Sequence, residues 1–290
     1  MKNAAHKKSP LLAGVVGWPV AQSLSPLIHT IWAARANIDG YYIPVAVPPT
    51  YDDFARVMDG LKTVGFAGVN VTMPHKDHAL RYSDLASDAA RTVGAANMLT
   101  FNTDSGVMAA NSDATGFRRM LLEAKASPKK ALVLGAGGAA RAVLWALNQK
   151  PLTCEITVAN RTKERAEQCA EIANAQILDW NDKSDALCAF DLVVNTTSLG
   201  MSGQPPLALD LANLKPGALV ADIVYSPLET ELLKAAKSRG NPTADGLSML
   251  MHQAAPGFLE WFGGDANLDA RVDDELRSAL LHERERRARQ

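Results

Sequence analysis

Short runs of apolar and β-branched residues recur in the first part of the chain, at Leu11 to Val16, Tyr41 to Val47 and Gly68 to Val71, each bounded by Gly, Pro or polar residues. Runs of this length between turn formers read as strands, and the helix-like stretches between them make the alternation that of βαβ units. Two helix starts carry their own signals. Leu27 to Asn37 follows Ser25-Pro26, a capping hydroxyl with proline at the first helical position, and Thr50 with Asp53 three residues on resembles a capping box. A second alternating series begins near Lys129. It runs from a strand at Ala131 to Leu134 through a helix at Gly138 to Leu147, a strand at Glu155 to Ala159 and a helix at Thr162 to Ala173. Further strands are expected at Asp191 to Asn195 and Ala218 to Asp222. This order predicts an α/β fold whose second half is an open parallel sheet covered by helices on both faces. After Gly246, Leu247 to Phe262 and Asp269 to Arg287 read as helices, and the charge run His282 to Arg289 reads as a solvated helix end.

Composition narrows the classes of function. At 290 residues the chain is long for one core and comfortable for two domains. With 47% hydrophobic and 21% charged residues it is of ordinary globular composition. A net charge of -1 gives no electrostatic reason to expect nucleic acid or an anionic membrane as partner, which leaves small-molecule chemistry. The leader Met1 to Pro10 carries Lys2, Lys7 and Lys8, but the apolar stretch after it soon meets Gly17 and Pro19, so neither a signal peptide nor a membrane span is expected. Cys154, Cys169 and Cys188 lie far apart without C-x-x-C pairing, which fits a reducing cytoplasm rather than a disulfide framework or thiolate metal site. His75 and His78 are three apart, yet nothing nearby completes a ligand set, and no metal is expected.

Gly135-Ala136-Gly137-Gly138-Ala139-Ala140 follows an apolar strand and opens an alanine-rich helix, matching G-x-G-x-x-G/A with Ala140 last. In that setting glycines permit a tight turn and the close approach of phosphate oxygens, while the helix N-terminus supplies partial positive charge. The end of the next strand selects among dinucleotides. An NAD site usually carries Asp or Glu there for the ribose 2′-hydroxyl, but this chain has Asn160-Arg161-Thr162, with Arg165 one turn on. A carboxylate would repel a 2′-phosphate, whereas guanidinium groups bind it through charge-assisted hydrogen bonds, so NADP is favoured.

In the first half, Asn70-Val71-Thr72-Met73-Pro74-His75-Lys76 ends a strand in a proline turn and puts a lysine at its mouth, where ligands of α/β folds sit. Reducing a ketone needs a hydride at carbon and a proton at the developing alkoxide, and a lysine ammonium provides both the charge and the proton. N-V-T-x-P-x-K resembles the shikimate dehydrogenase family. The resemblance continues from about Leu12 to Phe262: Gly17-Trp18-Pro19-Val20-Ala21-Gln22-Ser23-Leu24-Ser25-Pro26 is similar to G-x-P-x-x-H-S-x-S-P, Gly94-Ala95-Ala96-Asn97 to G-A-V-N, and Asn111-Ser112-Asp113 to N-T-D. The glycine turn, N-R-T-x-x-R, Val224-Tyr225-Ser226-Pro227 with Thr230, and Asp245-Gly246-Leu247 followed by Gln253 come after them in the family's order.

The resemblance implies Lys76 and Asp113 as the catalytic pair, with the carboxylate of Asp113 orienting the lysine and a substrate hydroxyl. It implies that Ser23 and Ser25 hold a substrate carboxylate and that Thr72, Asn97, Tyr225 and Gln253 line the remaining site. Gly135, Ala136, Gly137, Gly138, Ala139, Asn160, Arg161, Thr162 and Arg165 are the expected NADP contacts. Residues 1–112, completed by helices over 247–290, form the expected α/β substrate domain, and residues 113–246 a Rossmann-like, doubly wound NADP domain, with the active site in the cleft joining them. The implied reaction is reversible reduction of 3-dehydroshikimate to shikimate in aromatic amino acid biosynthesis, by a cytoplasmic monomer or homodimer. Alternatives are a dehydrogenase of quinate or a related hydroxylated cyclohexane carboxylate, and a non-catalytic ligand sensor, which needs no proton donor. Gln22 in place of the family's histidine, with Ser112, Ala114, Ala96 and Met98, departs from the pattern beside the pocket.

Overall fold

The computed structural model describes residues 9–263 and 272–288. The leader through Lys8, the expected helix start at 269–271 and Arg289 of the charge run lie outside the described residues. The chain opens with β1 (Leu11–Gly17), α1 (Ser25–Arg35), β2 (Gly40–Ala46), α2 (Tyr51–Thr63), β3 (Phe66–Val71), α3 (Lys76–Tyr82), β4 (Leu85–Ala86), α4 (Asp88–Val93), β5 (Met98–Thr103) and β6 (Gly106–Ala110). It continues with α5 (Ser112–Glu123), β7 (Lys130–Leu134), α6 (Gly138–Leu147), β8 (Glu155–Ala159), α7 (Lys163–Ala170), β9 (Gln176–Leu178), β10 (Leu192–Asn195) and β11 (Leu219–Asp222). Last come α8 (Glu231–Ser238), β12 (Thr243–Asp245), α9 (Gly246–Phe262) and α10 (Asp274–Ala288). Two compact units result. One gathers the described residues of Met1–Ala86, Asn97–Ala109 and Ala254–Gln290, the other Ser87–Ala96 and Ala110–Gln253.

The second unit holds six strands in the order β12-β11-β10-β7-β8-β9, all paired in parallel. This is the doubly wound arrangement the alternating pattern predicts, with its reversal of strand order between β7 and β10. Successive side chains of a strand point to opposite faces, and the core divides accordingly. Ala131, Val133, Leu192 and Val194 pack on one face with Val143, Leu144 and Leu147 of α6. Leu132, Leu134, Val193 and Val220 pack on the other with Leu232 and Leu233 of α8. No helix among the described residues is long and apolar enough to cross a membrane.

The first unit is built on a mixed sheet in the order β2-β1-β3-β5-β6-β4. Strand β1 lies between β2 and β3 and is parallel to both, while β5 returns antiparallel to β3. Thr50 caps α2 as its sequence predicts, accepting from the Asp53 N–H at 3.1 Å. Ser25 does not cap α1. The chain is already helical at Leu24 (φ -87°, ψ -8°), so Ser25 is the first residue of the helix and its own N–H is taken by Ser23 Oγ at 3.3 Å. Ser25 is itself buried, and its side chain favours the ionised form of the Tyr42 phenol, whose pKa burial raises.

One turn beyond Ser25, His29 lies fully buried and stacks on Tyr42, with ring centroids 3.7 Å apart and planes at 11°. Trp32, Phe258, Trp261 and Phe262 surround it. Neither ring nitrogen has a hydrogen-bond partner among the described residues. Burial drives the imidazole toward its neutral form and lowers its pKa to about 3. An unfolded histidine titrates near pH 6.5, so between these values the unfolded state binds more protons than the folded one, and stability falls as pH falls. Replacing the ring by an apolar one removes two unsatisfied nitrogens and this linkage together. We therefore expect His29→Phe to match or exceed the parent's stability at neutral pH. The parent should also lose about 3 kcal/mol more than the variant on acidification to about pH 4. Urea unfolding across that range measures the difference, and parallel stability curves would overturn the assignment.

Candidate active site

Three turns meet at the carboxyl ends of β1, β2 and β3. Beyond the strands, Thr72 N–H donates to the Val16 carbonyl at 2.8 Å, Trp18 N–H to Met73 at 3.0 Å and Val47 N–H to Gly17 at 3.1 Å. Gly17 is required at this crossing because a Cβ there would collide with the Thr72 methyl. On the other side of β3, the Asn97 carbonyl accepts from the Val71 N–H at 2.9 Å and from Asn70 Nδ2 at 3.2 Å. Ser23, Ser25, Thr72, Lys76 and Asn97 therefore all sit on segments tied to this one end of the first sheet.

Within it, a buried polar chain links Ser25, Tyr42, Asn70 and the Asn97 backbone. Tyr42 donates to Asn70 Oδ1 at 2.7 Å, and the phenol is pushed well above its ordinary pKa by burial, a shift that the Ser25 hydrogen bond opposes. Gln22 is exposed and its amide turns back on the Pro19 carbonyl at 3.3 Å. Lys76 opens α3 half-buried, directly after the buried His75.

In the second unit, Asn111 caps α5 by accepting from the Ala114 N–H at 3.3 Å and donates to the Ala95 carbonyl at 3.0 Å. That cap sets Asp113, which is buried, in the first helical turn, where the helix dipole favours a carboxylate. Gly116 then lets α5 approach α9, since a Cβ there would lie 2.7 Å from Gln253 Cβ and 2.8 Å from the Met249 carbonyl oxygen. Gln253 thus packs beside α5, with Ser112 Oγ 3.5 Å from its Oε1. Tyr225 lies in the loop after β11, which Asp222 organises by accepting from Thr230 Oγ1 at 2.7 Å, Val224 N–H at 3.0 Å and Asn195 Nδ2 at 3.0 Å. Burial raises the Asp222 carboxyl to about 6 against the pull of these three donors.

The glycine turn sits between β7 and α6, at the strand-order reversal. Gly135 has φ +111°, and a Cβ on it would meet Thr196 Oγ1 at 2.6 Å, so no other residue fits. Gly137 and Gly138 face open space where a side chain would project. The N–H groups of the first turn of α6 border that space, and Ala140 packs into the core behind it. At the end of β8, Asn160 Nδ2 bonds the Thr162 carbonyl at 2.8 Å, and Arg161, Thr162 and Arg165 are exposed. Among the described residues no group of three His, Cys, Asp or Glu gathers as a metal site.

Two stretches of the chain match known families. Residues 15–99 match the shikimate dehydrogenase substrate binding domain, and residues 119–202 match shikimate / quinate 5-dehydrogenase. The chain is a member of the shikimate dehydrogenase family. Within that family it is 49% identical to the shikimate dehydrogenase (NADP(+)) of Acidiphilium cryptum over 93% of this chain and 95% of that protein. The crystal structure of the shikimate 5-dehydrogenase from Thermus thermophilus, in complex with NADP(H) and shikimate, superposes with a TM-score of 0.80 at 32% identity, covering 93% of this chain and 99% of the other. Quinate dehydrogenase from Corynebacterium glutamicum in complex with NAD superposes with a TM-score of 0.84 at 29% identity, over 93% and 99%.

In this shikimate dehydrogenase family member the supports of the turns leave little trace in the sequence. Tyr42 and Gly116 carry no motif of their own, and the charge run does more than end a solvated helix. Arg287 donates to the carbonyls of Ala21 at 3.2 Å and Ser23 at 3.1 Å, and Glu283 pairs with its guanidinium at 2.7 Å. A cation many residues away thereby holds the Ser23 turn. Removing two charge-assisted hydrogen bonds should lower the free energy of local opening by roughly 1 to 3 kcal/mol. In Arg287→Ala, amide exchange over Val20–Ser25 should quicken by about ten- to a hundredfold while that of β7 stays as it was. Unchanged exchange in the turn would show that the clamp contributes nothing.

Proposed function

We infer that this protein is an NADP-dependent shikimate dehydrogenase, catalysing reversible reduction of the C3 carbonyl of 3-dehydroshikimate to shikimate on the route to the aromatic amino acids. The observation that carries the reading is the 49% identity over 93% of the chain to a relative named for that activity. The turns described above supply chemistry that fits it. Ser23 and Ser25 offer two hydroxyls from one short turn to a substrate carboxylate. Thr72, Asn97, Tyr225 and Gln253 offer donors and acceptors suited to ring hydroxyls, each of which would cost roughly 1 to 3 kcal/mol if buried unpaired.

The second unit suits the cofactor. Open space over Gly137 and Gly138 at the start of α6 accommodates a pyrophosphate, and exposed Arg161 and Arg165 beside Asn160 suit a 2′-phosphate where an NAD site would carry a carboxylate. When bound, NADPH supplies the hydride that reduces the carbonyl carbon. Lys76 supplies the matching proton: its ammonium stabilises negative charge growing on the carbonyl oxygen and then protonates it. Asp113 is assigned to orienting the ammonium and a substrate hydroxyl. In this reading the first unit, with the C-terminal helices, is the substrate domain and the second the NADP domain. The enzyme works in the cytoplasm as a monomer or homodimer.

Gln22 and the likeness to a quinate dehydrogenase give the quinate reading its one specific support. Quinate has a saturated ring and an added hydroxyl on the carbon bearing its carboxylate, so it must fit extra volume and one more polar group beside Ser23 and Ser25. Shikimate should therefore be favoured in kcat/KM with NADP by about ten- to two-hundredfold. Equal turnover of the two acids would overturn the preference for shikimate and leave the dehydrogenase reading intact. Lys76→Ala should lower kcat by about a hundred- to ten-thousandfold with little change in KM, and a variant of near-normal kcat would remove Lys76 from the mechanism.

A further inference from the structure

His75 lies between Pro74 and Lys76 with its ring fully buried. Its Nε2 is 2.9 Å from the Val47 carbonyl oxygen, and its Nδ1 is 3.0 Å from Nδ1 of His78. Phe54 stacks on it from α2, with centroids 5.1 Å apart and planes at 28°. The half-buried His78 rests against Phe54 and the edge of Tyr51, and Arg81 covers the Tyr51 ring.

These contacts fix the protons. A carbonyl oxygen only accepts, so His75 Nε2 carries hydrogen. In the neutral ring Nδ1 is then a lone pair, and the bond to His78 requires the hydrogen on His78 Nδ1. The His75 ring is thus held at both nitrogens, by Val47 just past the end of β2 and by a donor from α3. Its backbone joins the same turn, donating to the Thr72 carbonyl at 3.0 Å and accepting from the Ala79 N–H at 2.8 Å.

We propose that His75, locked between the Val47 carbonyl and the Nδ1–H of His78, is a positioning residue that sets the backbone from which Lys76 reaches the substrate. The proposal rests on the reading of Lys76 as proton donor. A ring anchored at both nitrogens leaves the neighbouring residue little freedom to rotate out of line, and proton transfer is steeply sensitive to such displacement. His78 acts at one remove, as the donor that holds His75.

Two measurements on the full chain test this. In histidine-labelled protein at about pH 8, two-bond ¹H–¹⁵N correlations should show His75 carrying hydrogen on Nε2 alone and His78 on Nδ1 alone. The opposite tautomer at either ring would overturn the pair. In kinetics with shikimate and NADP, His78→Leu should lower kcat by about tenfold while KM stays within roughly twofold, because binding groups are untouched and only the proton donor is displaced. His78→Gln, whose amide N–H restores a donor, should recover kcat to within about threefold of the parent, and His75→Gln should stay well above His75→Leu. A normal kcat in His78→Leu, or no recovery in His78→Gln, would sink the positioning role. Should the parent protein fail to oxidise shikimate, the functional reading falls by itself, and the tautomers still decide whether the locked pair exists.

Discussion

Strand β1 runs between two parallel neighbours, and its last residues continue the hydrogen bonding past the sheet in both directions, through Val16 and Trp18 to the turn after β3 and through Gly17 to the segment after β2. The first unit's candidate site depends on that crossing. Parallel strands need long connections, so each strand end hands its chain to a loop, and backbone groups there lack the partners that the ladder supplies. Pairing them with one another fixes three loops relative to a common origin. Side chains as far apart in sequence as Ser23, Thr72 and Asn97 then rest on one rigid frame, which is what a site built on loops requires.

The second unit meets the same need with a tight glycine turn joined to hydrogen bonds at its strand ends. Between β7 and β10 the connections leave in opposite directions, opening a space at the carboxyl ends. Gly135 turns the chain sharply beside Thr196, whose hydroxyl bonds the Leu134 carbonyl at 2.7 Å and so closes the bottom of that space with a satisfied polar group. Nearby, the side chains of Asn195, Asp222 and Thr230 are committed to the loops that leave β10 and β11. Ordering the segment that carries Tyr225 in this way requires a buried carboxyl at Asp222, whose pKa burial raises.

Much of this was legible in the sequence where a residue's task is local. The glycine turn, the Thr50 cap and the strands of the second sheet declare themselves because turn geometry, capping and alternation act within a few residues. The failures share a different cause. Ser25 looks like a cap by its neighbours, but Tyr42 from the next strand claims its hydroxyl. The link of His75 to Val47, remote in sequence, likewise leaves no local mark. The antiparallel β5 and the short β4 and β6 escape the alternation rule, which anticipates parallel units. Arg287 was hidden in a run of charges, since nothing in such a run says which cation finds a carbonyl.

Arg161, just past the end of β8, and Arg165, in the first turn of α7, stand in solvent. No packing depends on them, so the fold places almost no constraint on their identity. Substitutions at the end of β8 would leave both hydrophobic faces of the sheet as they are.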